Sequence, residues 1–383
     1  MATVPFQHTI VIGGGIAGLL AARALTEHCE RITIIERDQY PDTPTFRPGT
    51  PQAHQIHMVL LKGQHVLESF FPGFRAKMLA AGARPHDFAS DSLYFYGKRC
   101  PRLAPGLPGW NASRMLVEWQ IRRELEAFPQ VRLLQNCIVK GLLDENHAVR
   151  GVKYQERGNL ENPIQILEGE LVIDASGSSS VAPTWLKEIG YQAPEEERIN
   201  PFIGYATRLY ECPDHAEWWW QGLAIQGTGQ SRRAGALVTI EGGRWMVLLA
   251  GSGKDYPPND PQSYLAFAQS LPEPTLYESM KKATPASDIY GYRPIGNRFR
   301  HFERISMPAG FLVMGDALCT FNPIYGQGMT VAALQAQVLG KCLCHWHQRK
   351  DPVRHFHKQI ARLLSSPWML ATTADSAPQD RKT

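Results

Sequence analysis

The chain has 383 residues, 43% hydrophobic and 20% charged, which suits two domains with ample core. Forty Lys and Arg against thirty-six Asp and Glu leave a formal charge of +4, and no basic stripe interleaves with aromatics, so nucleic acid is excluded as a partner. The seven cysteines are scattered and odd in number, which reads as reduced thiols in a cytoplasmic protein.

The apolar run 10–25 is no signal peptide, because no Lys or Arg precedes it and three glycines interrupt it. No run of about 18 apolar residues occurs elsewhere, so no transmembrane segment is expected. The sequence instead reads as strand (9–12), glycine turn, small-residue helix (16–25) and strand (31–35), a βαβ unit. Its glycines, Gly13, Gly15 and Gly18, fit G-x-G-x-x-G. The first allows the turn, the second lets backbone approach a pyrophosphate, and the third packs helix on strand. Glu36 ends the second strand, where an acid accepts hydrogen bonds from a ribose 2′-hydroxyl and repels a 2′-phosphate. The dinucleotide is therefore FAD or NAD, with neighbouring Arg37 weakening the exclusion of NADP.

A Pro/Gly/Thr loop over 41–54 carries Arg47, a basic group placed to meet the pyrophosphate or the flavin of such a ligand. A helix is expected over 55–74. His54 and His57 lie three apart, but without a third ligand they read as loop or surface histidines rather than a metal pair. Tyr and Phe alternate at 93–96, as in a strand leaving the nucleotide domain. A helix follows, capped by Asn111 or Ser113, with Arg114 in its first turn. A cation there opposes the helix dipole and calls for an anionic ligand or a carboxylate partner.

Strands are expected over 131–139, 149–155 and 168–173, the last running into Asp174-Ala-Ser-Gly-Ser-Ser-Ser180. From 190 to 287 the tryptophans and alternating stretches imply an inserted antiparallel sheet, with a hairpin at Glu241-Gly242-Gly243. Trp218, Trp219 and Trp220 read either as core or interdomain seam, or as the wall of a lipophilic site. Cys342 and Cys344 lack a partner pair at zinc spacing, so no metal is expected. Helices cover 334–347 and the tail to 364, and 376–383 is expected to fray. The late stretch GDALCTFNPIYGQGM, 315–329, places an acid, a proline and two glycines at a helix mouth. Taken alone, it admits a metal site, a phosphate cradle, a nucleophile elbow or a plain turn.

With the N-terminal glycines, LVIDASG in mid-chain and the late Gly-Asp stretch in that order, the chain resembles the class A FAD-dependent monooxygenases, the para-hydroxybenzoate hydroxylase-like fold. DASG…PTWLKEIGY, EEERINPFIGYATRLY and FNPIYGQGM look most like the bacterial branch that contains polyether-type epoxidases. The resemblance implies an α/β chain, α+β overall, in which a Rossmann-like FAD-binding domain (1–87, 111–185 and 286–383) carries a mainly antiparallel substrate-binding β-sheet domain (88–110 and 186–285).

It also implies roles. Asp316 holds the ribityl chain, and Arg114 lies near the FAD. Pro323 faces the isoalloxazine, and Gly326, Gln327, Gly328 and Met329 present a helix start to its anionic edge. Electrons come from NAD(P)H or a partner flavin reductase, and O2 reacts through a flavin C4a-hydroperoxide to hydroxylate or epoxidise a lipophilic or aromatic small molecule. Two departures matter. Ser176 stands where these hydroxylases usually carry an acid, which puts direct NAD(P)H binding in doubt, and the halogenase motif Trp-x-Trp-x-Ile-Pro is absent. The alternatives left open are a flavin reductase or dehydrogenase of the geranylgeranyl-reductase type and a non-catalytic binding module on the same fold.

Overall fold

Two sheets organise the chain. The computed structural model describes residues 6–158, 162–213, 218–227, 231–293 and 296–375, so the expected frayed tail, 376–383, lies outside the described residues. The first sheet runs Phe311–Val313, Leu171–Asp174, Phe6–Ile12, Cys29–Ile35, Val131–Leu134, with every neighbouring pair parallel. Such strands are covered on both faces and so read as continuous apolar runs. Ile10, Val11, Ile32, Ile34, Val172, Ile173 and Leu312 have no exposed surface. The helix Ile16–Leu25 packs on it, and the helices Arg114–Leu125 and Gly328–Leu343 pack on that helix in turn.

One expected strand is divided and another starts late. At Asn136, φ +56° ends Val131–Leu134 and turns the chain into Cys137–Glu145. At Gly169, close to the His8 carbonyl and the Ile10 side chain, the chain passes from Gln165–Glu168 into Leu171–Asp174. The freed segments form a meander of Cys137–Glu145, Ala148–Glu156 and Gln165–Glu168.

The second sheet runs Thr284–Pro285, Gly204–Glu211, Arg244–Gly251, Arg233–Ile240, Gly222–Gln226, Ser92–Tyr96, with Tyr290–Tyr292 also on Gly204–Glu211. It is antiparallel except that Ser92–Tyr96 lies parallel to Gly222–Gln226. The hairpin at Glu241–Gly243 turns through positive φ at Gly242 and Gly243. Pairing crosses the expected domain boundaries at two places. Tyr290–Tyr292 joins this sheet, and Glu196–Ile199 pairs with Asn297–Arg300, which in turn pairs with Cys319–Thr320.

The tryptophans resolve as core. Trp218, Trp220 and Trp245 lie with ring centroids 5.1–6.0 Å apart, packed with Tyr264 and Leu276 behind the second sheet. Trp219 instead turns outward beneath Arg102. The helix expected over 55–74 is interrupted. A 3-10 turn, Pro51–His54, leads into non-helical backbone, and helix begins only at Leu61, after Thr330 Oγ1 accepts the Leu60 N–H (3.0 Å).

The edge strand Phe311–Val313 delivers Gly315 and Asp316, and a buried histidine fastens it. His357 Nδ1 donates to the Val353 carbonyl (2.9 Å), so its Nε2 lone pair accepts the Val313 N–H (3.2 Å). Burial pushes the His357 pKa down to about 4. The ordinary value of 6.5 holds in the unfolded chain, so the stabilising contribution is complete above pH 6.5 and is lost as pH falls towards 4. The melting temperature is expected to fall across that window, and His357→Gln to flatten the fall; parallel wild-type and mutant melting curves from pH 4 to 7 would contradict this role.

Candidate functional site

A cavity of about 350 Å³ opens between the C-terminal ends of the parallel strands and the second sheet. That is where ligands bind in open α/β sheets. Gly13 has φ +94°, and a Cβ there would lie 2.7 Å from the Ala175 carbonyl oxygen, so the glycine turn nests against the mid-chain turn. A Cβ on Gly18 would stand 1.8 Å from the Gly13 carbonyl oxygen, which is the helix-on-strand closeness expected of the third glycine. At Gly15 the nearest neighbour of such a Cβ is Arg114 at 3.9 Å, and at Gly328 nothing lies within 4 Å. Gly13, Gly15, Gly326 and Gly328 all line the cavity, Gly18 lies behind it, and Gln327, the N-terminal cap of the helix Gly328–Leu343, is absent from the lining.

Glu36 lies at the cavity wall, 4% exposed. It accepts from the Gly14 N–H (2.7 Å) and the Asp38 N–H (3.0 Å). Tyr40 Oη reaches the Gly14 carbonyl (2.6 Å), closing the turn from the other side. Arg37 is exposed, donates to the Gly49 carbonyl (3.1 Å) and also lines the cavity.

Arg47 lines the cavity as well, with its charge already shared. Rather than offering a free charge to a pyrophosphate or flavin, it is buried against three carboxylates: Glu118 at 2.7 Å, Asp38 at 2.9 Å and Glu36 at 3.2 Å. Burial alone would lower its pKa, but Glu118 and Glu36 raise it further. Three acids gather on one guanidinium because the second strand and the helix Arg114–Leu125 both end there. A cation with spare capacity in the lining is Arg114, at the first position of that helix. Its ion pair with Glu118 is long at 3.6 Å, and its buried Nε has no hydrogen-bond partner among the described residues. An unpartnered buried donor in a cavity suits an anionic or acceptor group of a ligand.

Ser113 caps the helix through the Leu116 N–H (3.2 Å), and the second-sheet hairpin clamps that cap. Glu241 accepts from the Ser113 N–H (2.9 Å) and from its hydroxyl. Across the cavity, Asp316 has its pKa raised by burial, with Arg114 and Arg298 opposing. Two buried arginines tie its turn to the mid-chain serine turn. Arg298 donates to the Ser178 (2.8 Å) and Asp316 (3.4 Å) carbonyls, and Arg300 to those of Ser180 (3.1 Å) and Ala317 (3.0 Å). Asp174 organises the serine turn from beneath, accepting from the Ser176 N–H (3.0 Å) and the Ser180 hydroxyl.

The late stretch completes the wall with Asn322, Pro323, Gly326, Gly328 and Met329. Asn322 is held by Tyr205, whose hydroxyl donates to its Oδ1 (2.6 Å), and by Asn297, which accepts its N–H (2.7 Å). Gly326 has φ +61°, the left-handed turn that stops the 3-10 segment Pro323–Tyr325 before the next helix starts.

Lining residues not assigned to the site from the sequence include Gln55, His57, Met58 and Tyr292. Of the expected loop or surface histidines, His57 lies in loop backbone and lines the cavity, while His54 stacks between Phe46 and Tyr290 at 4.0 and 3.8 Å. Only the loss of helical periodicity around Pro51 could have flagged the segment. Among the described residues no group of three metal-type ligands occurs, and no helix is long and apolar enough to cross a membrane.

The family described as FAD binding domain matches residues 7–353. Protein Rv3254 of Mycobacterium tuberculosis (strain ATCC 25618 / H37Rv) is 28% identical over 97% of this chain and 80% of its own length. Squalene epoxidase 1 of Arabidopsis thaliana is 25% identical over 87% of this chain, which spans 59% of that protein. Pseudomonas aeruginosa PqsL, solved in complex with 2-aminobenzoylacetate, superposes with a TM-score of 0.73 at 16% identity, covering 97% of this chain and 98% of that one. The myxobacterial chondrochloren halogenase CndH also gives 0.73 at 16% identity, covering 96% and 81%. At such identities the likeness is one of fold. The chain belongs to the FAD binding domain family and is an FAD-dependent oxidoreductase of the class A monooxygenase type.

Proposed function

We propose that this protein hydroxylates or epoxidises a lipophilic or aromatic small molecule, using FAD held along the cavity from the glycine turn to the late Gly-Asp stretch. The observation that carries the reading is the pairing of a glycine-lined cradle with an unpartnered buried arginine, Arg114, at a helix start beside it. Gly13 and Gly15 would admit the pyrophosphate, and Glu36 would accept the ribose hydroxyls. Arg114 would offset the cofactor's negative charge, and Asp316 would take hydrogen bonds from the ribityl chain. The backbone N–H groups at Gly326–Met329, with no side chain beyond Cα at Gly326 and Gly328, would face the ring's anionic edge, and Pro323 would lie against the ring. When bound and reduced, the flavin supplies activation of dioxygen and transfer of one oxygen atom.

The protein's part is to bind, orient and exclude water. The apolar members of the lining, Ile56, Met58, Phe321, Met329 and Ala332, suit an apolar guest. The relatives support this choice of substrate in outline: one is called a squalene epoxidase, and another is solved with 2-aminobenzoylacetate. Electrons would come from NAD(P)H or a flavin reductase, in a cytoplasmic setting. The serine turn, whose Ser176 replaces the usual acid, favours the reductase.

Turnover under labelled dioxygen is expected to place one labelled oxygen atom in the product, and a product free of label would remove the monooxygenase reading in favour of C–C redox chemistry. Asp316→Ala should leave the fold intact by circular dichroism while weakening FAD binding by about ten- to a hundredfold, the loss of one or two hydrogen bonds to a charged group. Undiminished flavin retention in that variant would contradict the ribityl role.

A further inference from the structure

Among the described residues, His57 is the one histidine that lines the cavity. Its Nδ1 lies 2.9 Å from the Gln55 carbonyl oxygen. A carbonyl only accepts, so Nδ1 carries the proton. In the neutral ring, Nε2 is then a bare lone pair, and no hydrogen-bond partner for it is found among the described residues. The carbonyl that sets this tautomer is itself fixed. Gln55 is 3% exposed, its Oε1 accepts from Thr207 Oγ1 (2.6 Å) and its Nε2 donates to the Tyr290 carbonyl (3.0 Å). Both partners belong to the second sheet, so that sheet aims the imidazole. The charged group facing His57 is Arg114, on the helix across from it, and burial together with that cation holds the pKa down to about 3.

We propose that His57 Nε2 is a binding residue of the site, a neutral hydrogen-bond acceptor for an uncharged N–H or O–H group on whatever molecule occupies the cavity beside Arg114. An anion would be repelled by the lone pair, and an ether or hydrocarbon would leave it unpaired at a cost. Two molecules could bring such a donor: the flavin, through its ring N–H, or the substrate, through a hydroxyl or amine. The second source rests on the FAD monooxygenase reading, whereas the tautomer does not.

The test has two arms. Long-range proton–nitrogen NMR of histidine-labelled protein, assigned with His57→Gln, is run flavin-free at pH 7 and pH 5.5. His57 should show a protonated Nδ1 and an unprotonated Nε2 at both; a protonated Nε2 at pH 7 overturns the proposal whatever the cofactor. The second arm titrates FAD into flavin-free wild-type, His57→Gln and His57→Leu protein, then titrates the FAD-loaded forms with 2-naphthol and 2-methoxynaphthalene by flavin absorbance. A loss of FAD affinity of about tenfold in His57→Leu, partly restored in His57→Gln, assigns the donor to the flavin. Unchanged FAD affinity, with a preference for the naphthol of about tenfold that His57→Leu abolishes, assigns it to the substrate. If FAD affinity is unchanged and the wild type shows no preference for the naphthol, the acceptor role is wrong. Failure of wild-type protein to bind FAD would instead refute the cofactor reading and leave the NMR result standing.

Discussion

Arg47 is the group on which the cofactor side of this molecule depends. Glu36, Asp38 and Glu118 converge on its guanidinium, all of them nearly excluded from water. Three acids brought so close without it would repel one another and each lose solvation; removing one partner of such a buried set costs about 3–5 kcal/mol. With it, the end of the second strand, the loop that follows and the Arg114–Leu125 helix become one body. The arrangement also allots charge. Because Arg47 absorbs most of the negative charge of Glu118, Arg114 remains underused and is left for a ligand.

The second sheet reaches into this body by polar bonds as well as by packing. Glu241 holds the cap of the Arg114 helix, Thr207 and the Tyr290 carbonyl hold Gln55, and Tyr205 holds Asn322. Tyr205, Thr207 and Asn322 are each at most 3% exposed, so these bonds form where water does not compete. A hydroxyl buried without such a partner would cost about 1–3 kcal/mol, which makes the relative placement of the two sheets specific.

The parts legible in the sequence were those set by local chain chemistry. The βαβ unit, a polar cap at Asn111 or Ser113 (Ser113 serves), and the Glu241-Gly242-Gly243 hairpin each follow from short-range spacing, and each is found close to its expected place. What could not be read depends on residues far apart. Arg47 reads as a free cation until Glu118, 71 positions later, is seen beside it. The 55–60 segment has helical composition, yet Thr330, 270 residues away, takes the Leu60 N–H and keeps it extended. The tryptophans were ambiguous for the same reason. An apolar side chain looks alike in sequence whether it meets a ligand or another tryptophan, and only the fold places Trp245 against Trp218 and Trp220.

Arg298 and Arg300 each bridge carbonyls of the serine turn and the Asp316 turn, so those two walls behave as a single rigid jaw. A guest cannot enter by prising them apart without stripping charge-assisted bonds from buried guanidinium groups. The loop 41–46 is likewise tied to the helix Arg114–Leu125, by Trp119 Nε1 on the Asp42 carbonyl (2.7 Å) and Arg122 on the Pro41 carbonyl (2.5 Å). The wall that carries Asp316 and the wall that carries the serine turn therefore move together or not at all.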